Sequence, residues 1–541
     1  MKGFLLPLTY VASISLLGLL AGANVSAQND ASSDFHTSDH CVNCHGKVTS
    51  QKGEAMSIAG EWSASIMANA ARDPYWQGSV RREVLDHPAA STAIQTTCAS
   101  CHMPLQYLAD KSQNHPTAMF KQLPFHAGTT TAAADGISCA VCHQIQAAGL
   151  GTPASFNGQY TVAPPGTHPR PVFGPFDIAN PQIVQVHQTI SGYAPQQSEH
   201  IRDADLCGSC HTLYTETLGA DGKPLGRFPE QMTYLEWLHS DYHSKETCQQ
   251  CHMPAANGAV PIASLLGQPR DGVRHHTFVG ANFFMDAMYN AHRDELGVAA
   301  QPADLTAEAT ATTAFLQSQA ARVTVGPAEL AGAQLSFPVR VENLTGHKLP
   351  TGFPSRRAWL HVVVTGADGT VVFESGKLNA DGSIVGNEND ADATRFTPHY
   401  TEISKPDEVE IFEDILGDSQ GHVTTGLVFT TQYLKDNRIL PTGFDKANAP
   451  ADIAVHGKAA DDLAFIAGSS TTKYTVPTNG AKGPFHLAVE LEYQPVGFRW
   501  AHNFAPYNAA EPQRFVRYFD QAAAHSALVL AHADTTAGSA Q

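Results

Sequence analysis

One five-residue pattern constrains this chain more than anything else in it. All ten cysteines fall in pairs, Cys41/Cys44, Cys98/Cys101, Cys139/Cys142, Cys207/Cys210 and Cys248/Cys251, and a histidine follows each pair at once. The five copies read CVNCH, CASCH, CAVCH, CGSCH and CQQCH. Tetrahedral zinc pairs one C-x-x-C with another or with spaced histidines, and gives no reason for a histidine after every second cysteine. A disulfide framework suits short secreted chains without a core, not 541 residues with tight repeated pairs. Covalent c-type haem accounts for all three positions, two thiols forming thioethers and the histidine ligating iron. The expectation is five covalently attached c-type haems, with iron held proximally by His45, His102, His143, His211 and His252.

The opening MKGFLLPLTYVASISLLGLLAGANVSAQ has one lysine, an apolar run and the small-residue site Val25-Ser26-Ala27. It reads as a signal peptide over 1–27, so the product is exported, periplasmic or extracellular. No cysteine near that site can take a lipid, and no later run reaches the roughly 18 to 20 apolar residues of a membrane span. The formal charge of −18 argues against nucleic acid as a partner. It favours redox partner proteins with basic patches, met at rates that fall as salt rises.

The expected fold class is α+β and multidomain: a mainly α-helical and irregular multihaem cytochrome c domain over 28–300, then a β-sandwich domain. In the first half, turn-rich loops join helical stretches such as GEWSASIMANAARDPYW and FPEQMTYLEWLHSDYHSKETC. Side chains alone would not fill such a segment, so haem faces would serve as core. A linking helix is expected over 301–322, capped at Asp304 or Thr306, before the period changes from 3.6 to 2. Leu335, Phe337, Val339 and Val341 alternate with polar neighbours, as do Leu487, Val489, Leu491 and Tyr493. Asp368-Gly369 would turn a hairpin. The sandwich would run over 323–505, with a C-terminal helix and disordered tail over 506–541.

Several phrases carry a resemblance: WSASIMANAARDPYW, TCASCHMP, DGISCAVCHQI, LCGSCHTLYTETL, MTYLEWLHSDYHSKETCQQCHMP and RHHTFVGANFF, with ENLTGHKLPTGFPSRRAWLHV and YLKDNRILPTGF in the second half. Over about residues 35 to 500 the chain resembles multihaem cytochromes c related to the tetrahaem carriers of ammonia oxidation, in a pentahaem version with a C-terminal β domain. The resemblance implies closely packed, mostly bis-histidine haems that pass single electrons, and no substrate. At Met67 many relatives carry a ligating histidine; a thioether there would raise that haem's potential, or Met67 simply packs.

Thirteen histidines before residue 300 lie outside the motifs. By the resemblance His276, with His275 as competitor, and His187 and His200 supply distal ligands. His36, His40, His126 and the i, i+4 pair His239 and His243 are weaker candidates, and His87, His115, His168 and His292 read as surface residues. His347 either reaches back to a haem or sits in a rigid loop, and Arg356 and Arg357 either hold propionates or face solvent. GNENDAD (386–392) reads as a solvated acidic loop rather than a calcium site.

Three functions follow as expectations: an electron carrier in the periplasm or toward the cell surface; a haem enzyme with one open iron acting on a small nitrogen or sulfur compound; or a subunit of a filament or outer-membrane conduit, partnered by copies of itself. No lysine-ligated haem motif and no G-x-S-x-G nucleophile is present.

Overall fold

Five short helical turns carry the repeated motifs, and the geometry of the turn explains why. On a helix, positions i, i+3 and i+4 share a face, so two cysteines three apart and the next histidine emerge together. In the computed structural model, which describes Met1, residues 34–219 and residues 221–538, helices Asp39–His45, Ser91–His102, Cys139–Cys142, Ala204–Gly208 and Cys248–His252 hold or begin the motifs. Ser138 caps the third by accepting from the Val141 N–H, and Thr247 with Gln250 forms a capping box on the fifth. The expected signal peptide lies, apart from Met1, outside the described residues.

Other helices frame these turns. Pro74–Asp86 starts with proline at its first position, and the Asp73 carboxylate accepts from the N–H groups of Tyr75 and Trp76 at 2.8 and 3.1 Å. The stretch expected as one helix before it is broken: Ile58–Ala64 stops at Ser65, and only the short 3₁₀ turn Ala70–Arg72 intervenes. Thr233–Leu238 likewise ends before His239, so His239 and His243 do not share a helical face. Among the described residues, three two-stranded ribbons lie between the motifs, and a fourth, Val260–Pro261 with Pro269–Arg270, follows the last. Side-chain clusters do form in this half, one including Trp76, Val80, Leu105, Tyr107 and Tyr160, but they line a large void rather than close it.

The helix expected after residue 300 spans Pro302–Gln319; Pro302 at its first position, not Asp304 or Thr306, sets its start. Two five-stranded sheets follow. The first orders Glu329–Ala331, Gln334–Asn343, Ser469–Pro477 and Glu402–Ile403, with Ala321–Val325 also paired to Gln334–Asn343. The second orders Val371–Ser375, Arg357–Thr365, Phe485–Gln494 and Leu528–Ala537, with Ile411–Phe412 beside Arg357–Thr365. Leu335, Phe337, Val339 and Val341 from one sheet and Leu360, Val362, Val364, Leu487, Val489 and Leu491 from the other form one buried cluster. The hairpin turns where expected, with Gly369 at φ +80.

The C-terminus corrects the reading of a helix followed by a disordered tail. The helix covers Ala510–Ala522, and Leu528–Ala537 then pairs antiparallel with Phe485–Gln494; residues 539–541 lie outside the described residues. Strand pairing with a distant partner outweighs the local alanine-rich, helix-favouring composition. The β region therefore extends past 505. Phe515, Tyr518 and Phe519 of the helix join Phe284, Met285 and Tyr289 of the first half in one cluster, and from Asp34 onward the chain forms one compact unit. Among the described residues, no helix is long and apolar enough to cross a membrane.

Phe337 is 1% exposed between the sheets. Phe337→Ala is expected to cost about 3–5 kcal/mol, read as a lower urea midpoint for loss of the β signal in far-UV circular dichroism; an unchanged midpoint contradicts this core.

Candidate haem-binding cavity

All ten cysteines and all five motif histidines line one continuous cavity of about 2200 Å³, walled mostly by apolar surface. No two cysteines are joined in a disulfide. Thiols of different motifs meet: Cys41 with Cys139, Cys101 with Cys210, and Cys207 with Cys248. Cys142 lies within electrostatic reach of Cys207 and Cys210. The fourth motif thus adjoins the second, third and fifth, and the third adjoins the first.

The imidazoles are oriented in a common way. Nδ1 faces a backbone carbonyl in His45 (Ile262, 2.7 Å), His102 (Ala70, 3.3 Å), His143 (Phe173, 2.6 Å) and His252 (Val279, 2.6 Å). A carbonyl only accepts, so Nδ1 carries the proton and the lone pair stays on Nε2, as metal ligation requires. His211 instead has the Gln231 side-chain amide 3.0 Å from Nδ1. Burial pushes His102 and His211 down to about 4 and lowers His45, His143 and His252 as well. Neutral imidazole is the ligating form.

Of the distal candidates, His187 and His276 share this arrangement. His187 Nδ1 donates to the Tyr193 carbonyl at 3.0 Å and His276 Nδ1 to that of Arg274 at 3.0 Å, and both rings line the cavity. His187 is within electrostatic reach of His45, and His276 of His143 and His45. His275 is instead an ion-pair partner of Glu61 at 2.8 Å. His200 differs: Nδ1 meets Ser198 Oγ at 2.6 Å, Nε2 meets the Ile145 carbonyl at 2.8 Å, and the ring is not on the cavity wall, while it stays within electrostatic reach of His143. His40 lines the cavity with its Nε2 3.2 Å from the Ser191 carbonyl, while His36 stacks on it. His126, His239 and His243 are exposed. His87, expected at the surface, is buried against Phe429, and His292 stacks on Tyr518.

His347, from the second half, is the residue the sequence left undecided. Its Nδ1 donates to the Lys348 carbonyl at 3.0 Å, burial holds it at about 4, and its ring lies 6.4 Å from that of His252 with 12° between planes. Metal–imidazole bonds of about 2.0–2.1 Å put two rings sharing one metal roughly 6 Å apart. The loop that carries it is also held rigidly. Lys348 Nζ pairs with Asp436 at 2.6 Å, Glu236 accepts from the Lys348 N–H and Thr351 Oγ1, and Arg438 bridges Glu236 and Asp436. Buried charges persist when paired and hydrogen-bonded in this way.

Arg357 is withdrawn from any propionate by Asp390, at 2.8 and 2.9 Å, and Gln494. That pairing also corrects the solvated-loop reading of GNENDAD: Asp390 and Asn389 are buried, and Asn387 caps the turn Glu388–Ala391. Arg356 does line the cavity, near His211, His252 and His347. Met67 lines it too.

Two buried carboxyls in the wall near Cys98, Glu83 and Glu230, were not legible in the sequence. Glu83 accepts from the Leu427 and Val428 N–H groups, tying the halves together. Burial raises Glu230 to about 7, with Thr215 as hydrogen-bond donor. The folded state therefore holds this proton more tightly than the unfolded chain. Stability is fullest below the ordinary glutamate range and falls as pH rises from there to about 7. Glu230→Gln is expected to flatten that fall by up to about 3 kcal/mol, measured as urea stability between pH 4.5 and 8; parallel profiles for the two proteins contradict it.

No family model matches the chain, and no curated protein matches it. Among solved structures, it is similar to a penta-heme cytochrome c552 from Thermochromatium tepidum, at 15% sequence identity, with 93% of this chain and 98% of that chain covered and a TM-score of 0.49.

Proposed function

We propose that the chain is an exported pentahaem c-type cytochrome that carries electrons. The observation that supports this most is the convergence of all five motifs on one cavity in which neighbouring motifs touch. When bound, haem supplies one-electron Fe(II)/Fe(III) chemistry. The cysteines would hold it as thioethers, the motif histidines would ligate from one side with Nε2, and the cavity wall would exclude water. His187, His276 and His347 would serve as distal ligands, and Arg356 would hold a propionate. Kinship with the tetrahaem carriers of ammonia oxidation, a periplasmic or cell-surface location, a multihaem domain followed by a β-sandwich, and redox partner proteins all belong to this reading. The test is haem content by pyridine haemochrome with intact mass: five haems per chain are expected, and fewer contradict it.

A second reading is favoured by a count. Nine histidines line the cavity, five in motifs plus His40, His187, His276 and His347, whereas five bis-histidine irons need ten. One iron without a second imidazole would be open to a small nitrogen or sulfur compound. Low-temperature EPR of the oxidised protein separates the readings: only low-spin centres favour the carrier, and a high-spin centre that shifts with nitrite, hydroxylamine or sulfite favours the enzyme. In the same spectra His347→Ala is expected to convert one low-spin centre to high spin. An unchanged spectrum removes His347 as a ligand.

A further inference from the structure

Away from the cavity, the outward face of the second sheet gathers an unusual set of side chains. His361 lies in strand Arg357–Thr365, opposite Glu490 of Phe485–Gln494. Its Nδ1 is 3.4 Å from Glu490 and 3.3 Å from Glu492, and its Nε2 is 3.2 Å from Glu374 of the neighbouring strand Val371–Ser375. One ligand atom from each of His361, Glu490 and Glu492 falls within 4.8 Å of the others.

Glu490 and Glu492 project from the same face of one strand, where like charges repel. Among the described residues, neither pairs with a lysine or arginine; Lys377 reaches only Glu374, at 3.5 Å. A protonated imidazole would offset one of three carboxylates. Glu492, with a side chain 10% exposed, keeps its charge largely out of water, which is costly unless a cation offsets it, and the imidazole that faces it is shared with Glu374 and Glu490.

We propose that His361, Glu490 and Glu492, with Glu374 at the side, form a binding site for a divalent cation of the zinc class. The donors are one imidazole nitrogen and carboxylate oxygens, a set that zinc accepts and that magnesium and calcium, which prefer all-oxygen shells, do not favour. Three adjacent strands contribute, so an ion there would cross-link the sheet. The site is independent of the haem cavity.

The experiment uses the full-length holoprotein, stripped with chelator and equilibrated with zinc chloride, with bound zinc counted per chain by mass spectrometry. Saturable uptake of one zinc per chain is expected, weakened at least tenfold in His361→Gln and in Glu492→Gln, with the haem absorption spectrum unchanged. Glu490→Gln, at the more exposed position, carries the test should a buried variant fold poorly, and the same loss is expected. No saturable zinc, or uptake equal in wild type and variants, overturns the proposal.

Discussion

A cavity of about 2200 Å³, lined mostly by apolar surface, is the constraint on which the rest depends. Interiors pack as densely as organic crystals, and unfilled cavities carry a large free-energy cost per unit volume. Apolar walls of this extent favour an occupant of matching character. Ten thiols and five imidazoles on those walls would suit a flat, apolar group anchored at two edges and ligated at its centre. Helical turns, capped by Ser138 and by Thr247 with Gln250, are the means by which short segments with little core of their own present those groups in register.

Much of this was legible because it was local. C-x-x-C-H fixes spacing on a single turn, and alternation in Gln334–Asn343 and Phe485–Gln494 fixes a buried face. Non-local partners were not legible. His200 looked like a ligand by position, yet Ser198 and Ile145 occupy its nitrogens. Arg357 looked free until Asp390, thirty-three residues away, appeared beside it. Leu528–Ala537 read as the end of a helix and the start of a disordered tail because its strand partner lies some forty residues upstream. Glu83 and Glu230 carried no signal at all, since burial of a lone glutamate depends on what the fold places around it.

His347 shows how the two halves are joined. Its backbone is held by a buried ionic network of Lys348, Glu236, Asp436 and Arg438, which draws on both halves of the sequence. Such networks add little net stability once desolvation is counted, but breaking one partner is expensive, so they fix position. A side chain presented from one half to the cavity of the other gains a fixed position from that network. Glu83, accepting from the Leu427 and Val428 amides, ties the halves at a second point.

The closing segment has a consequence for the order of events in a living cell. Leu530 is part of the cavity wall, and helix Ala510–Ala522 packs on residues placed near the start. Ribosomes deliver a chain amino terminus first, so all five attachment turns exist before the last piece of wall has been made. The final strand, through Leu530, adds to the cavity wall from the opposite end of the chain.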